Sequence, residues 1–254
     1  MKNFELDKNK EIIQGIIGGP DDAFKLKNNE LSLLSIEEKK YAKPFHTSTS
    51  RYHTPNNDEY ILYISDKNID RVSPENVPAI YSKLLPYQET LLSRREVLNG
   101  RKSWFSLWWE RDEKFFLPGP KIVFAARTLG RNFTYTEDSF YASRNCFFIK
   151  TERANMKYLV GLLNSKLMHF YMDHNLKHNG DLLQLDKVQF LTVPLYCPST
   201  KQQTPIIAVV DKILDAKKSY PSADTSVLER ENDRLVYELY GLTEEEVEVI
   251  EKGN

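Results

Sequence analysis

Apolar residues recur at three- and four-residue intervals in the middle of the chain. Leu159, Leu162, Leu163, Leu167, Phe170 and Tyr171 form one stripe, and Val160 and Met168 widen it until most of the helix circumference is apolar. The pattern predicts one buried helix, N-capped by Asn155 and ending in DHNLKHNG. There Lys177 and His178 supply C-terminal charge and Gly180 the left-handed stop. Gly161 inside this helix costs stability unless another element packs closely on it. Asp186 caps a short turn, KVQFL, and Pro194 forces Val193 into an extended conformation.

Upstream, Ile12, Ile13, Ile16 and Ile17 predict a strand or buried segment, ended by the turn signal Gly18-Gly19-Pro20. Ser35 and Glu38 form a capping box for a short helix, and residues 59–64 alternate as a strand. Ser73-Pro74 opens a long helix that Pro86 kinks or divides and Asn99-Gly100 closes. Three β-rich runs follow, at residues 121–127, 133–136 and 146–150. Further helices open at Thr204-Pro205, at a Ser226/Glu229 box and at a Thr243/Glu246 box. The expected class is α+β: a mixed region with a small twisted sheet over residues 1–198, then an α-helical tail over 199–254 that packs on it.

With 254 residues the chain can bury a sizeable core. It holds no apolar run of the ~20 residues that crosses a bilayer and no N-terminal signal region, so no membrane partner is expected and the cytoplasm is the default location. Cys146 and Cys197 have no metal-like spacing and are expected as reduced, buried thiols. The net charge of −1 conceals an uneven distribution: residues 94–157 carry 13 Lys/Arg against 7 Asp/Glu, and residues 224–254 carry 3 against 10. A basic middle and an acidic tail suggest one face for a polyanion, although a solvated charged surface gives the same counts.

The phrase LVGLLNSKLMHFY, followed by a Gly-containing gap and QFLTVPL, resembles the TaqI-like C-terminal specificity domain of type II restriction-modification enzymes. IIQGIIGGPDDAF with KPF at residues 43–45, and LERENDRLVYELYGLTEEEVEVI near the end, extend the resemblance to nearly the whole chain. In that family the domain follows an adenine DNA methyltransferase. The resemblance therefore implies a non-catalytic DNA target-recognition domain. Its partners would be double-stranded DNA and an upstream methyltransferase domain holding S-adenosylmethionine, in cis or in trans. Since Met1 lies shortly before the opening phrase, the chain reads as a fragment of a longer enzyme or as a separate specificity subunit.

The residues themselves carry no methyltransferase chemistry: the double glycine is followed by Pro and Asp, and no Pro-Pro occurs. A nuclease alternative rests on Asp21, Glu37 and Lys39, a loose PD-ExK pattern for a divalent metal, with Glu37 and Lys39 in a capped helix rather than a strand. His174 and His178 have metal-compatible helical spacing but no third ligand, so no metal, cofactor or catalytic residue is assigned to this chain. A helical protein-interaction module built on the acidic tail is the other alternative.

What remains is a binding surface. Trp104, Phe105, Trp108 and Trp109 can stack bases, but four aromatics so close together read as core. Arg127, Arg131, Asn132, Arg144 and Asn145 flank short strands in turns, where Arg and Asn can make bidentate bonds to guanine and adenine edges. Arg94, Arg95, Arg101, Lys102 and Lys121 are the expected phosphate contacts, whose loss weakens all sequences alike. The loop 174–180 and the segment 46–53 are the alternative places for recognition. Asn232, on the stripe of Leu228, Leu235, Val236 and Leu239, reads as a misfit whose replacement by Ile raises the melting temperature.

Overall fold

Alternation along two strands decides the centre of the fold. In residues 121–125 and 146–149, Ile122, Phe124, Phe147 and Ile149 enter one hydrophobic core, whereas Val123, Cys146 and Phe148 enter a second on the opposite face. The computed structural model describes residues 3–20, 22–65, 67–68 and 73–253, in an α+β architecture.

The chain begins with β1 (Asn3–Phe4), β2 (Ile12–Gln14) and β3 (Lys25–Lys27), then α1 (Asn28–Leu31), α2 (Ile36–Lys39), β4 (Ala42–His46) and β5 (Glu59–Leu62). The helical pieces α3 (Pro78–Leu84), α4 (Gln88–Leu92) and α5 (Arg95–Leu98) follow. Next come β6 (Lys121–Ala125), β7 (Arg127–Thr128), β8 (Thr134–Thr136), β9 (Tyr141–Ala142) and β10 (Cys146–Ile149). The C-terminal part holds α6 (Met156–Leu163), α7 (Lys166–Asn175), β11 (His178–Asn179), β12 (Leu182–Gln184), α8 (Lys187–Phe190), β13 (Leu195–Tyr196), α9 (Thr200–Ser219), α10 (Ser226–Tyr240) and α11 (Glu244–Lys252).

The central sheet has the order β2-β10-β6-β8, all pairs antiparallel. One face is covered by α6, α8, α9 and α10, whose Leu159, Leu162, Phe190, Ile206, Val210 and Val236 share a core with Phe124 and Ile149. The other face packs on a second sheet, β3-β5-β4-β9, through Phe45, Ile61, Leu62 and Tyr141. No helix among the described residues is long and apolar enough to cross a membrane.

The predicted central helix is two helices. The Asn164 side chain bonds both the N–H and the C=O of Phe133, and Ser165 turns its hydroxyl to the Met168 N–H as the N-cap of α7. Two short polar side chains outcompete the helical ladder here. Lys177, His178 and Gly180 do not end the helix either: α7 stops at Asn175, and residues 178–184 form the hairpin β11–β12, with Gly180 at φ 60° in its turn. This hairpin continues into β7 as a small sheet.

Other boundaries moved for local reasons. The helix expected from Ser73 starts at Pro78, because the buried Glu38 carboxylate accepts the Ala79 and Ile80 N–H groups that its first turn leaves open. At Pro86 the chain passes through a 3₁₀ turn, which divides the expected helix. The tail begins at a Ser199/Gln202 capping box, before Pro205, and α10 is preceded by Thr225, whose hydroxyl bonds Glu229. Of the two free thiols, Cys146 is buried, which pushes its pKa up to about 12, whereas Cys197 is partly exposed.

Burial under Phe140, stacked at 4.1 Å, lowers the His46 pKa from 6.5 to about 4. Between these values the unfolded chain binds more protons than the folded one. The contribution of neutral His46 to stability is therefore complete above pH 6.5 and is lost as the pH falls through 4. Denaturant melts at pH 7 and pH 5 should show a loss of at most about 1.4 kcal/mol per pH unit that His46→Leu removes. An equal pH dependence in the variant would contradict this assignment.

Candidate nucleic-acid interface

The register of the central sheet brings four strand ends together. Gln14 ends β2 opposite Phe147, Ala125 ends β6 opposite Cys146, and Thr134 begins β8 opposite Val123. The turns 15–19, 126–133 and 143–145 therefore leave the sheet at one end. The segment 47–53 runs into the same place: the Ser143 N–H donates to the His46 carbonyl, the Tyr52 N–H to the Phe133 carbonyl, and the buried Thr134 hydroxyl to Ser50. Tyr52 is itself buried at φ 66°, a left-handed conformation uncommon for a large side chain.

Of the five expected base readers, three project freely. Arg127, Arg144 and Asn145 are exposed. Arg127 lies on β7 opposite Gln184 rather than in a turn, and the turn 143–145 is fixed by the Ala126 N–H on the Asn145 carbonyl at 2.7 Å and the Gln14 side-chain amide on the Arg144 carbonyl at 2.9 Å. Arg131 and Asn132 require correction. The Arg131 guanidinium donates to the Asn164 carbonyl at 3.2 Å and faces Asp233 at 3.6 Å, with its side chain 16% exposed. Asn132 donates to the Thr128 hydroxyl at 3.0 Å. Both hold their loop in place; polarity in a turn does not distinguish a group that reads from one that anchors.

The expected phosphate contacts divide in the same way. Arg95 and Arg101 are exposed. Arg94 is buried, donating to the carbonyls of Leu91, Ser103, Trp104 and Ser106, and Lys121 is fully buried with its ammonium on the Asp138 carbonyl. Burial, with Lys150 adding to it, lowers the Lys121 pKa to about 8. These two cations complete the interior and are unavailable to DNA. Lys102 pairs with Glu110 at 2.6 Å.

The aromatic cluster splits. Trp104 and Phe105 stack at 4.0 Å against the second core, as expected, but Trp108 and Trp109 lie at the surface, and Trp108 donates to Glu96. His174 lies tilted against Phe170, and His178 lies on β11 beside Asp173, so the two imidazoles do not share a helix face. Of the nuclease candidates, Asp21 lies outside the described residues, Glu37 pairs with Lys40 on an exposed helix, and Lys39 is exposed.

Beside the sheet end runs a cleft of about 600 Å³, lined by Gln14, Arg111, Lys177, Lys187 and Gln189 over a floor of Ile13 and Phe147. Arg111 reaches across it, with Nε on the Gly15 carbonyl and Nη2 on Gln14 Oε1, both at 3.1 Å. Neither Arg111 nor Lys187 is marked by any spacing in the sequence. The fold brings them to one cleft.

The family model of the TaqI-like C-terminal specificity domain matches residues 47–195. The type II methyltransferase M.MjaIV of Methanocaldococcus jannaschii is 25% identical, over 87% of this chain and 76% of that protein. M.BanIII of Aneurinibacillus aneurinilyticus, also a type II methyltransferase, is 26% identical over 54% of this chain, which spans only 24% of it. Among solved structures, the type IIL restriction-modification enzyme MmeI in complex with DNA has a TM-score of 0.75 at 14% identity, over 99% of this chain and 37% of that one. That likeness is one of fold.

Proposed function

The chain belongs to the TaqI-like C-terminal specificity domain family, and from that premise we propose that it is the DNA target-recognition region of a restriction-modification methyltransferase. Its reading surface is the end of the central sheet. The observation that carries this proposal is the exposure of Arg127 on β7 and of Arg144 and Asn145 on the turn 143–145, which the sheet register gathers and hydrogen bonds hold in place. Arg suits the paired acceptors of guanine, and Asn the donor and acceptor of adenine, in the major groove. Arg95 and Arg101 add sequence-blind contacts to phosphate.

The reaction belongs to an upstream methyltransferase domain, joined in cis or associated in trans. That domain would take a flipped adenine from the duplex this region holds and would transfer the methyl of S-adenosylmethionine to its exocyclic amine, releasing S-adenosylhomocysteine and a proton. Gly18-Gly19 leads into β3 rather than into a helix, so it does not provide the glycine-rich strand-to-helix loop of a cofactor site, and no catalytic step is assigned to these residues.

Selection of duplexes from a randomised pool tests the proposal. One short sequence should be enriched, and its affinity should fall steeply with salt as counterions are released. A pool that stays random at low salt overturns it.

A further inference from the structure

We propose that the cleft between β2 and α8 is a phosphate clamp: it holds one or two backbone phosphodiesters of the bound duplex and so sets the register of the turn 143–145 on the bases. The inference rests on the DNA-recognition reading and names a contact site within it.

Three cations line the cleft: Arg111, Lys177 and Lys187. None of them is ion-paired with a carboxylate among the described residues, whereas most of the partly buried cations elsewhere, such as Lys83, Lys102, Lys157 and Lys166, are. The two carboxylates of the lining are engaged elsewhere. Asp112 pairs with Lys114 at 2.9 Å, and Asp186 accepts the Val188 and Gln189 N–H groups. Like charges gathered on one cleft repel: burial together with Arg111 lowers the pKa of Lys187, an effect that nearby Asp7 offsets only in part. A dianionic stretch of backbone supplies counter-charge inside the cleft beyond what Asp7 and Glu110 provide at its edge.

The site is also built rather than incidental. Arg111 has φ 65°, a left-handed conformation that is uncommon outside glycine, and its guanidinium is fixed by two bonds to β2 and its extension. Gln14 accepts from Arg111 and donates to the Arg144 carbonyl, so one amide joins the cleft to the exposed turn. A phosphate held in the cleft therefore positions Arg144 and Asn145 through a rigid connection, which fits the division between contacts that orient and contacts that specify.

The test uses the whole chain, the duplex it enriches, and an unrelated duplex of the same length. Lys177→Gln/Lys187→Gln should weaken both duplexes by the same factor, about tenfold or more, and reduce the slope of log affinity against log salt by between one and two. Lys252→Gln on α11 should change neither. An unchanged slope in the double variant overturns the clamp while leaving DNA recognition standing. A loss confined to the enriched sequence also overturns it, by showing that the cleft reads bases. If the wild-type chain binds no duplex at low salt, the recognition reading fails and the clamp fails with it.

Discussion

Gly15→Ala is expected to lower stability by about 3 kcal/mol, the upper range for overpacking, and the melting temperature by roughly 6–12 °C. A Cβ at this position overlaps the carbonyl oxygens of Ala142 and Ser143 and lies 2.8 Å from the Ser143 carbonyl carbon. All three are main-chain atoms, held by the bonds from Gly15 N–H to Cys146 and from Ile16 N–H to Ala142. No side chain can turn aside to relieve the overlap. The glycine is required because the extension of β2 crosses the link between β9 and β10 in main-chain contact, and that crossing supports the turn carrying Arg144 and Asn145. Thermal denaturation of the variant measures the effect, and an unchanged melting temperature contradicts this account of the crossing.

Asn232→Ile should lower stability by about 2 kcal/mol, opposite to what the apolar stripe of α10 suggests. Asn232 is buried on that stripe, but its Nδ2 donates to the Gly161 carbonyl at 2.9 Å. That carbonyl lacks its helical partner: α6 ends two residues later, and the Ser165 N–H turns instead to the Leu162 carbonyl. The amide completes a helix end in the interior. Isoleucine would leave the carbonyl unpaired and press a branched side chain on a glycine whose added Cβ would already lie 2.9 Å from Asn232 Oδ1 and 2.8 Å from Val210. A rise in the melting temperature of Asn232→Ile contradicts this role.

Asn232 also shows where the sequence was legible and where it was not. The buried stripes of α6, α9 and α10, the central strands β6, β8 and β10, and the α+β class all follow from periodicity, because these segments are long or strongly alternating. The break at Asn164-Ser165 left no periodic trace: Leu167 and Met168 continue the apolar stripe across it, and only the contact with Phe133, distant in sequence, makes the break. Strands of two residues, such as β7, β9 and β11, are too short to show alternation and exist through their partners.

The same limit applied to the surface. Arg and Asn beside turns marked residues that the fold gathers at one end of the sheet, since antiparallel pairing brings the turns of neighbouring strands together. The linear sequence could not separate Arg144, which is exposed, from Arg131, which is held by Asn164 and Asp233. It also placed Arg94 and Lys121 among the phosphate contacts because a buried cation satisfied by main-chain carbonyls has the same composition signature as an exposed one. Arg111 and Lys187, far apart in the chain, became candidates only when the fold placed them on one cleft.

The central claim is that the end of the sheet reads base edges. Its most direct measurement compares the sequences enriched from a randomised duplex pool by the wild-type chain with those enriched by Arg127→Ala, Arg144→Ala and Asn145→Ala. At least one of these changes should relax the preference at a single base pair, costing about 1–3 kcal/mol against the preferred duplex and almost nothing against unrelated ones. Arg101→Ala should weaken all duplexes alike. If all three variants enrich the wild-type sequence with undiminished preference, the sheet end does not read the target.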